Sequence, residues 1–164
     1  AMAEISSKRK KTDADRLEMG RLEWFGGLYL APGIEGPAFP TRSIKRCLIE
    51  GGRINKLGKQ IERGLSFEDM FVPIAYGGSR DLDNLYQSGD YTDVSMVRVG
   101  NARIARTRPK FTEWALVATG WMEDDILNVG DLQMIAAQAG RSVGVGDNRV
   151  NGFGRFRAQI KEAA

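Results

Sequence analysis

The glycine- and arginine-rich stretch at residues 139–160, AGRSVGVGDNRVNGFGRFRAQI, constrains the fold of this chain more than any other feature. Five glycines (Gly140, Gly144, Gly146, Gly152, Gly154) are interspersed with four arginines (Arg141, Arg149, Arg155, Arg157). Glycine permits positive φ and close approach of two backbones. Gly146 or Gly152 is therefore expected to have a positive φ or a close backbone neighbour. Arginine adds planar donors that suit phosphate. A helix-like run at 131–139 precedes the stretch, and its end, 153–160, reads as a strand. A helix end, a loop of exposed N–H groups and a strand bearing Arg155 and Arg157 would seat a polyanion. The same glycines also suit a tight turn that packs a helix on a sheet.

Residues 21–30, RLEWFGGLYL, are rich in aromatic side chains and predict a first strand, with Gly26-Gly27 as a bulge. A Pro/Gly loop follows, and Thr41 after Pro40 starts a helix through about Asn55. Ile44, Cys47, Leu48 and Gly51 form its apolar stripe, and Arg42, Lys45, Arg46 and Arg53 lie mostly off it. Gly51-Gly52 would allow close backbone packing. Residues 56–66 read as a polar insertion, 70–74 as a short strand and 76–91 as irregular. Residues 94–108 predict one or two strands with a turn near Gly100-Asn101. Arg106 and Arg108 would share a strand face. Alternation predicts strands at 111–121 and 153–160, and 129–139 a second helix with Gly140 as its cap. The expected fold class is α+β, a ferredoxin-like βαββαβ core with insertions near 56–66 and 76–93. Residues 1–16 are expected to form a basic flexible arm, and 17–164 a single domain.

The formal net charge is +3. Residues 1–12 carry Lys8, Arg9, Lys10 and Lys11 against Glu4, so the arm accounts for all of it. The remainder is neutral but segregated. Seven bases and two acids occupy 42–63, and five bases without an acid occupy 98–110. Acids collect at 81–93 and 113–131. Segregation of this kind gives a basic and an acidic face. A basic face binds nucleic acid or meets the acidic face of a second copy. Arg103, Arg106 and Arg108 are the strongest candidates for phosphate contact; they equally suit a solvated strand surface paired with acids such as Glu113. Tyr29, Phe39, Tyr76 and Phe153 could stack bases or belong to the core. Glu123, Asp124 and Asp125 could hold magnesium, but they better suit an acidic turn before a helix, because adjacent acids rarely converge on one ion.

The chain contains no histidine and one cysteine, Cys47. This removes His-based acid–base chemistry, Ser-His-Asp and Cys-His arrangements, and the usual zinc sites. No cofactor and no metal site are expected. A single cysteine fits a reducing cytosol, and no apolar run reaches the roughly 20 residues that span a bilayer.

Two resemblances add to this. Gly144-Val145-Gly146, Arg149 and Gly152-Phe153-Gly154-Arg155 resemble the C-terminal glycine-rich loop of the RAMP superfamily, ferredoxin-like RNA-binding proteins of CRISPR effector backbones. The helix entered by PTRSIKRCL is similar to their basic first helix. The runs SKRKKTDADR, RLEWFGGLYL, PTRSIKRCLIEGG, VRVG, RIARTRPKF and GVGDNRVNGFGRF resemble a family of small proteins encoded by tailed bacteriophages and prophages. That family's last loop usually carries an aromatic residue and a proline where this chain has Asn148 and Val150. The resemblances imply a non-enzymatic, phage-encoded RAMP-like protein in the cytoplasm of a bacterial host, viral and CRISPR-related. It would bind single-stranded nucleic acid, with RNA the expected polymer, as a repeated subunit of an oligomer or larger complex. The expected binding residues are Arg42, Lys45, Arg46, Arg53, Arg103, Arg106, Arg108, Arg141, Gly144, Gly146, Arg149, Gly152 and Arg155. The alternatives are a phage assembly protein that self-associates through charged faces, and an inhibitor that mimics a host CRISPR subunit.

Overall fold

Thr12 starts a helix that the aromatic composition of the following segment conceals. In the computed structural model, which describes residues 2–100 and 102–162, the Asp15 N–H donates to the Thr12 hydroxyl at 3.1 Å and the Thr12 N–H to the Asp15 carboxylate at 2.9 Å. This reciprocal capping box launches α2 (Asp13–Gly26). The strand expected at 21–30 is therefore corrected to a helix, and Gly26-Gly27 ends it instead of bulging a strand. The aromatic residues of this run pack from a helix: Trp24 is fully buried, and its Nε1–H donates to the Tyr91 carbonyl at 2.9 Å. Upstream, α1 (Met2–Ser7) and the start of α2 occupy the segment expected to be a basic flexible arm, and Lys8 pairs with Asp15 at 2.5 Å.

The chain divides into two compact units, each made of two stretches of sequence. Unit 1 comprises Ala1–Ala38 and Pro73–Leu116, and unit 2 comprises Phe39–Val72 and Val117–Ala164. The single-domain expectation for 17–164 did not include this division. The chain crosses between units three times, within β1 (Ala38–Pro40), within β3 (Phe71–Pro73) and between Leu116 and Val117.

Unit 1 holds α1, α2, α5 (Leu82–Ser88) and a hairpin of β4 (Thr92–Val99) with β5 (Ala102–Pro109). The hairpin matches expectation, although Asn101 of its turn lies outside the described residues. The register sets Arg98 against Arg103, Met96 against Ala105 and Val94 against Thr107. Helix α5 lies in the stretch expected to be irregular. It starts because the Asp81 carboxylate accepts the Asn84 N–H at 2.9 Å. Trp24, Phe25 and Tyr86 pack ring to ring at 5.0–5.8 Å.

Unit 2 holds α3 (Thr41–Arg53), α4 (Gly58–Gly64), β2 (Leu65–Phe67), β6 (Gly120–Met122) and α6 (Val129–Gln138). The expected helices α3 and α6 form. The polar insertion at 56–66 is instead α4 with the start of β2, and Ile61 and Leu65 are buried there. Gly51 lets α3 approach closely: a Cβ there would lie 2.7 Å from Ala139 Cβ. Cys47, Leu48, Ile61, Leu132, Ile135 and Ala139 belong to the core.

The long strand expected at 111–121 is also corrected. Its faces alternate from Trp114 to Thr119, with Trp114, Leu116 and Ala118 less exposed than Ala115, Val117 and Thr119, but Gly120, expected on the inner face, is exposed like Trp121. Its backbone bonds are divided, however. Ala115 bridges Ala75, and only β6 pairs with β2. At 153–160 the alternation persists in burial without a ladder: the Phe156 N–H bonds the Gly140 carbonyl at 3.2 Å. The architecture is thus α+β, and the described residues form three two-stranded ladders. A ferredoxin-like βαββαβ core is not confirmed, because its first strand is a helix and, among the described residues, 153–160 has no ladder partner. Among the described residues, no helix is long and apolar enough to cross a membrane.

Candidate functional site

The two basic elements of unit 2 meet at Glu50. Helical spacing places Arg42, Arg46 and Arg53 on one exposed stripe of α3, opposite the buried Cys47, Leu48 and Gly51. Lys45, half-buried, flanks that stripe. Arg46 Nε donates to Glu50 Oε1 at 3.2 Å, one helical turn away. Arg149, from the glycine-rich loop, donates to Glu50 Oε2 at 2.9 Å. Burial would raise the Glu50 pKa, but the hydrogen bonds from Arg149 and then Arg46 hold it below its ordinary value.

The loop itself is built by glycine. Helix α6 does not stop at Gly140, as expected, but widens through a π-helical turn, Ala139–Val143. Gly140 serves a different purpose there, since a side chain would collide with the Phe156 carbonyl. The cap is Gly144, at φ 78° and ψ 169°. The Val145 N–H donates to the Gly154 carbonyl at 2.9 Å and closes the neck of an Ω-loop over 145–154. Gly146, Asn148 and Gly152 have φ values of 79°, 57° and 86°, which meets the expectation for Gly146 and Gly152. Val150 stands at the tip with 97% of its surface exposed. Arg155 returns to the loop, its guanidinium donating to the Arg149 carbonyl at 3.2 Å. Arg141 is exposed.

Cys47 lies beneath this cluster. Burial pushes its thiol up to about 11 against the opposing pull of Arg149, so it is held as an unreactive thiol.

The arginines of unit 1 are divided between the two faces of the hairpin, with Arg106 and Arg108 sharing one face. Period-two alternation puts Arg103 on the opposite face of β5 from Arg106 and Arg108. Arg106 is tied to the Glu23 carboxylate, which also accepts the Thr107 N–H at 2.9 Å. Arg108 stands opposite Asp93. Arg106 holds the hairpin to α2, and Arg103 has Arg98 as its cross-strand neighbour. Of the candidate stacking residues, Tyr76 is packed against Phe111 and Tyr91 at 5.0 and 5.4 Å, with the Arg80 guanidinium 4.0 Å from its ring centre. Phe39 is half-buried, and Tyr29 and Phe153 are exposed.

Sequence reasoning missed Glu50, the residue that joins helix to loop. Its signal was the i,i+4 spacing from Arg46. Comparisons of the chain with protein-family models, with curated proteins and with solved structures each find no match.

Proposed function

We propose that unit 2 binds single-stranded nucleic acid, RNA in the first instance, as a non-enzymatic binding surface. The observation that carries this reading is the joint at Glu50, where a stripe of exposed arginines on α3 runs into an arginine-bearing Ω-loop. From Arg42 to Arg53 the stripe extends about 16 Å along the helix, long enough to follow a phosphate backbone. Arg46 and Arg149 place two guanidinium groups on the one Glu50 carboxylate, with Arg155 on the Arg149 carbonyl, which leaves the cluster cationic. The likeness of the loop to the RAMP loop supports the same class of ligand. A RAMP-like repeated subunit of phage origin remains part of the proposal.

The test is the triple change Arg42→Gln, Arg46→Gln and Arg53→Gln, with binding of labelled single-stranded RNA followed against salt. Three lost phosphate contacts should flatten the log–log salt slope by about 2, at about 0.7 per contact on a single strand. A folded triple mutant with an unchanged slope would sink the proposal.

A second reading has its own observation. Glu123, Asp124 and Asp125 form an exposed acidic turn in the same unit, so basic stripe and acidic turn could join successive copies. Oligomers that contain no nucleic acid and dissociate at high salt would favour that reading.

A further inference from the structure

Unit 1 carries an open sheet edge beside an exposed apolar pair. The Thr107 N–H donates to Glu23, so it points away from β4. The pair Val94–Thr107 therefore exchanges no ladder bonds. Antiparallel alternation extends this to Met96–Ala105 and Arg98–Arg103. From the other end, the Lys110 N–H bonds the Tyr91 carbonyl at 2.9 Å, which fixes the same alternation. The main-chain N–H and C=O groups of Val94, Met96 and Arg98 consequently point away from β5. Helix α2 covers the outer edge of β5, with Thr107 against Gly20 and Pro109 against Gly27. Among the described residues, no other strand pairs with β4.

The three edge residues also share one face of the hairpin. Val94 and Met96 are 65% and 64% exposed there. Arg98 and Arg103 lie directly opposite each other in the closely spaced kind of pair, with Cα atoms about 4.5 Å apart. Like charges in that position repel. The Arg98 Nε donates to the Gly100 carbonyl at 3.0 Å. Among the described residues, neither arginine forms an ion pair. An open edge, two apolar side chains and two facing guanidinium groups are thus left together, and natural proteins normally blunt such an edge.

We propose that the Val94–Arg98 edge of β4 docks an extended acidic segment of another protein, which adds to the hairpin as a third strand. Its backbone would take up the outward N–H and C=O groups, as in other strand additions. Apolar side chains would cover Val94 and Met96, and Asp or Glu would neutralise Arg98 and Arg103. A strand edge and an apolar pair match a peptide. A phosphate backbone would use neither, and Arg106 and Arg108 lie on the other face.

The probe is the blocked peptide Val-Thr-Val-Thr-Glu-Thr-Glu, compared with its Lys-for-Glu counterpart and a single-stranded RNA oligomer, each added to the full chain. Amide exchange and chemical shifts are read by NMR. The acidic peptide should protect the amides of Val94, Met96 and Arg98. The double change Arg98→Glu and Arg103→Glu should weaken it about tenfold or more and favour the lysine peptide. Met96→Pro should abolish binding while the hairpin persists, because proline is tolerated where the N–H faces outward. The proposal is overturned by any of four results. These are equal binding of both peptides, no protection near 1 mM peptide, protection of the same amides by RNA instead, or pairing of the edge with a second copy of the chain.

Discussion

The Arg149 guanidinium reaches the Glu50 carboxylate at 2.9 Å across 99 residues of sequence. One side-chain pair thereby holds the tip of the Ω-loop to α3, while the Val145–Gly154 backbone bond holds its neck. Both partners are about one-third exposed, at 36% and 27%, so water shares in the interaction.

Arg149→Ala should therefore cost little global stability, about 0.2–1 kcal/mol. Its local effect should be larger, because the tip loses its one side-chain anchor on Glu50. Amide exchange at residues 147–152 is expected to accelerate while exchange in α3 and α6 stays unchanged. Equal acceleration in the helices would show that the pair supports the whole unit.

The Glu50 pKa is lowered from an ordinary value of 4.5. A carboxylate depressed on folding contributes stability above its unfolded pKa, and that contribution is lost as pH falls through the folded one. The loop should accordingly stay docked above about pH 4.5 and be released only as pH falls further, through the lowered pKa of Glu50. Glu50→Gln should remove the acid step from loop signals. An NMR titration that left Glu50 at or above its unfolded value would contradict this.

Gly144 should tolerate substitution less well than Gly146. Its φ and ψ of 78° and 169° fall in a region populated essentially by glycine. A side chain there would also lie 2.9 Å from the Gly154 and Phe153 carbonyls. At Gly146, with φ 79°, a side chain would meet open space. Gly144→Ala should cost about 1–3 kcal/mol, and Gly146→Ala less, about 1 kcal/mol. Urea unfolding of the two variants would check the order.

Glu23 anchors the hairpin of unit 1. Its side chain is 10% exposed and accepts from both Arg106 and the Thr107 N–H. Glu23→Ala should cost about 1–3 kcal/mol, because the Thr107 donor is left without its partner. Arg106→Ala should cost less, since Glu23 keeps the Thr107 bond. A reversed order in thermal unfolding would place the weight on the ion pair instead.

What could be read from the sequence was local. Ile44, Cys47, Leu48 and Gly51 marked α3, Leu132 and Ile135 marked α6, and the glycines at 146 and 152 took the positive φ expected of them. Helix α2 was misread because Trp24 and Phe25 outweighed the capping box at Thr12 and Asp15, although both signals were present. Alternation at 114–119 and 154–160 separated inside from outside, although Gly120 broke the pattern, and alternation cannot say whether a ladder partner exists. The candidate interface was visible as a set of arginines. It was not visible which of them were already engaged, because that depends on Glu23 and Glu50, acids distant in sequence from Arg106 and Arg149.

The interleaved order of the two units has a consequence for biosynthesis. Both stretches of unit 1 have left the ribosome once Leu116 emerges. Unit 2 is then only half made, because even α4, the later of its first two helices, precedes α6 by some 65 residues of chain. At about 5–20 residues per second, Cys47, Leu48 and Ile61 wait several seconds for the segment that covers them. During that interval the nascent chain presents an uncovered apolar helix pair between two stretches that can already associate. Chaperone dependence should therefore concentrate on α3 and α4, and a chain that stalls just after Leu116 should be the form most prone to aggregate.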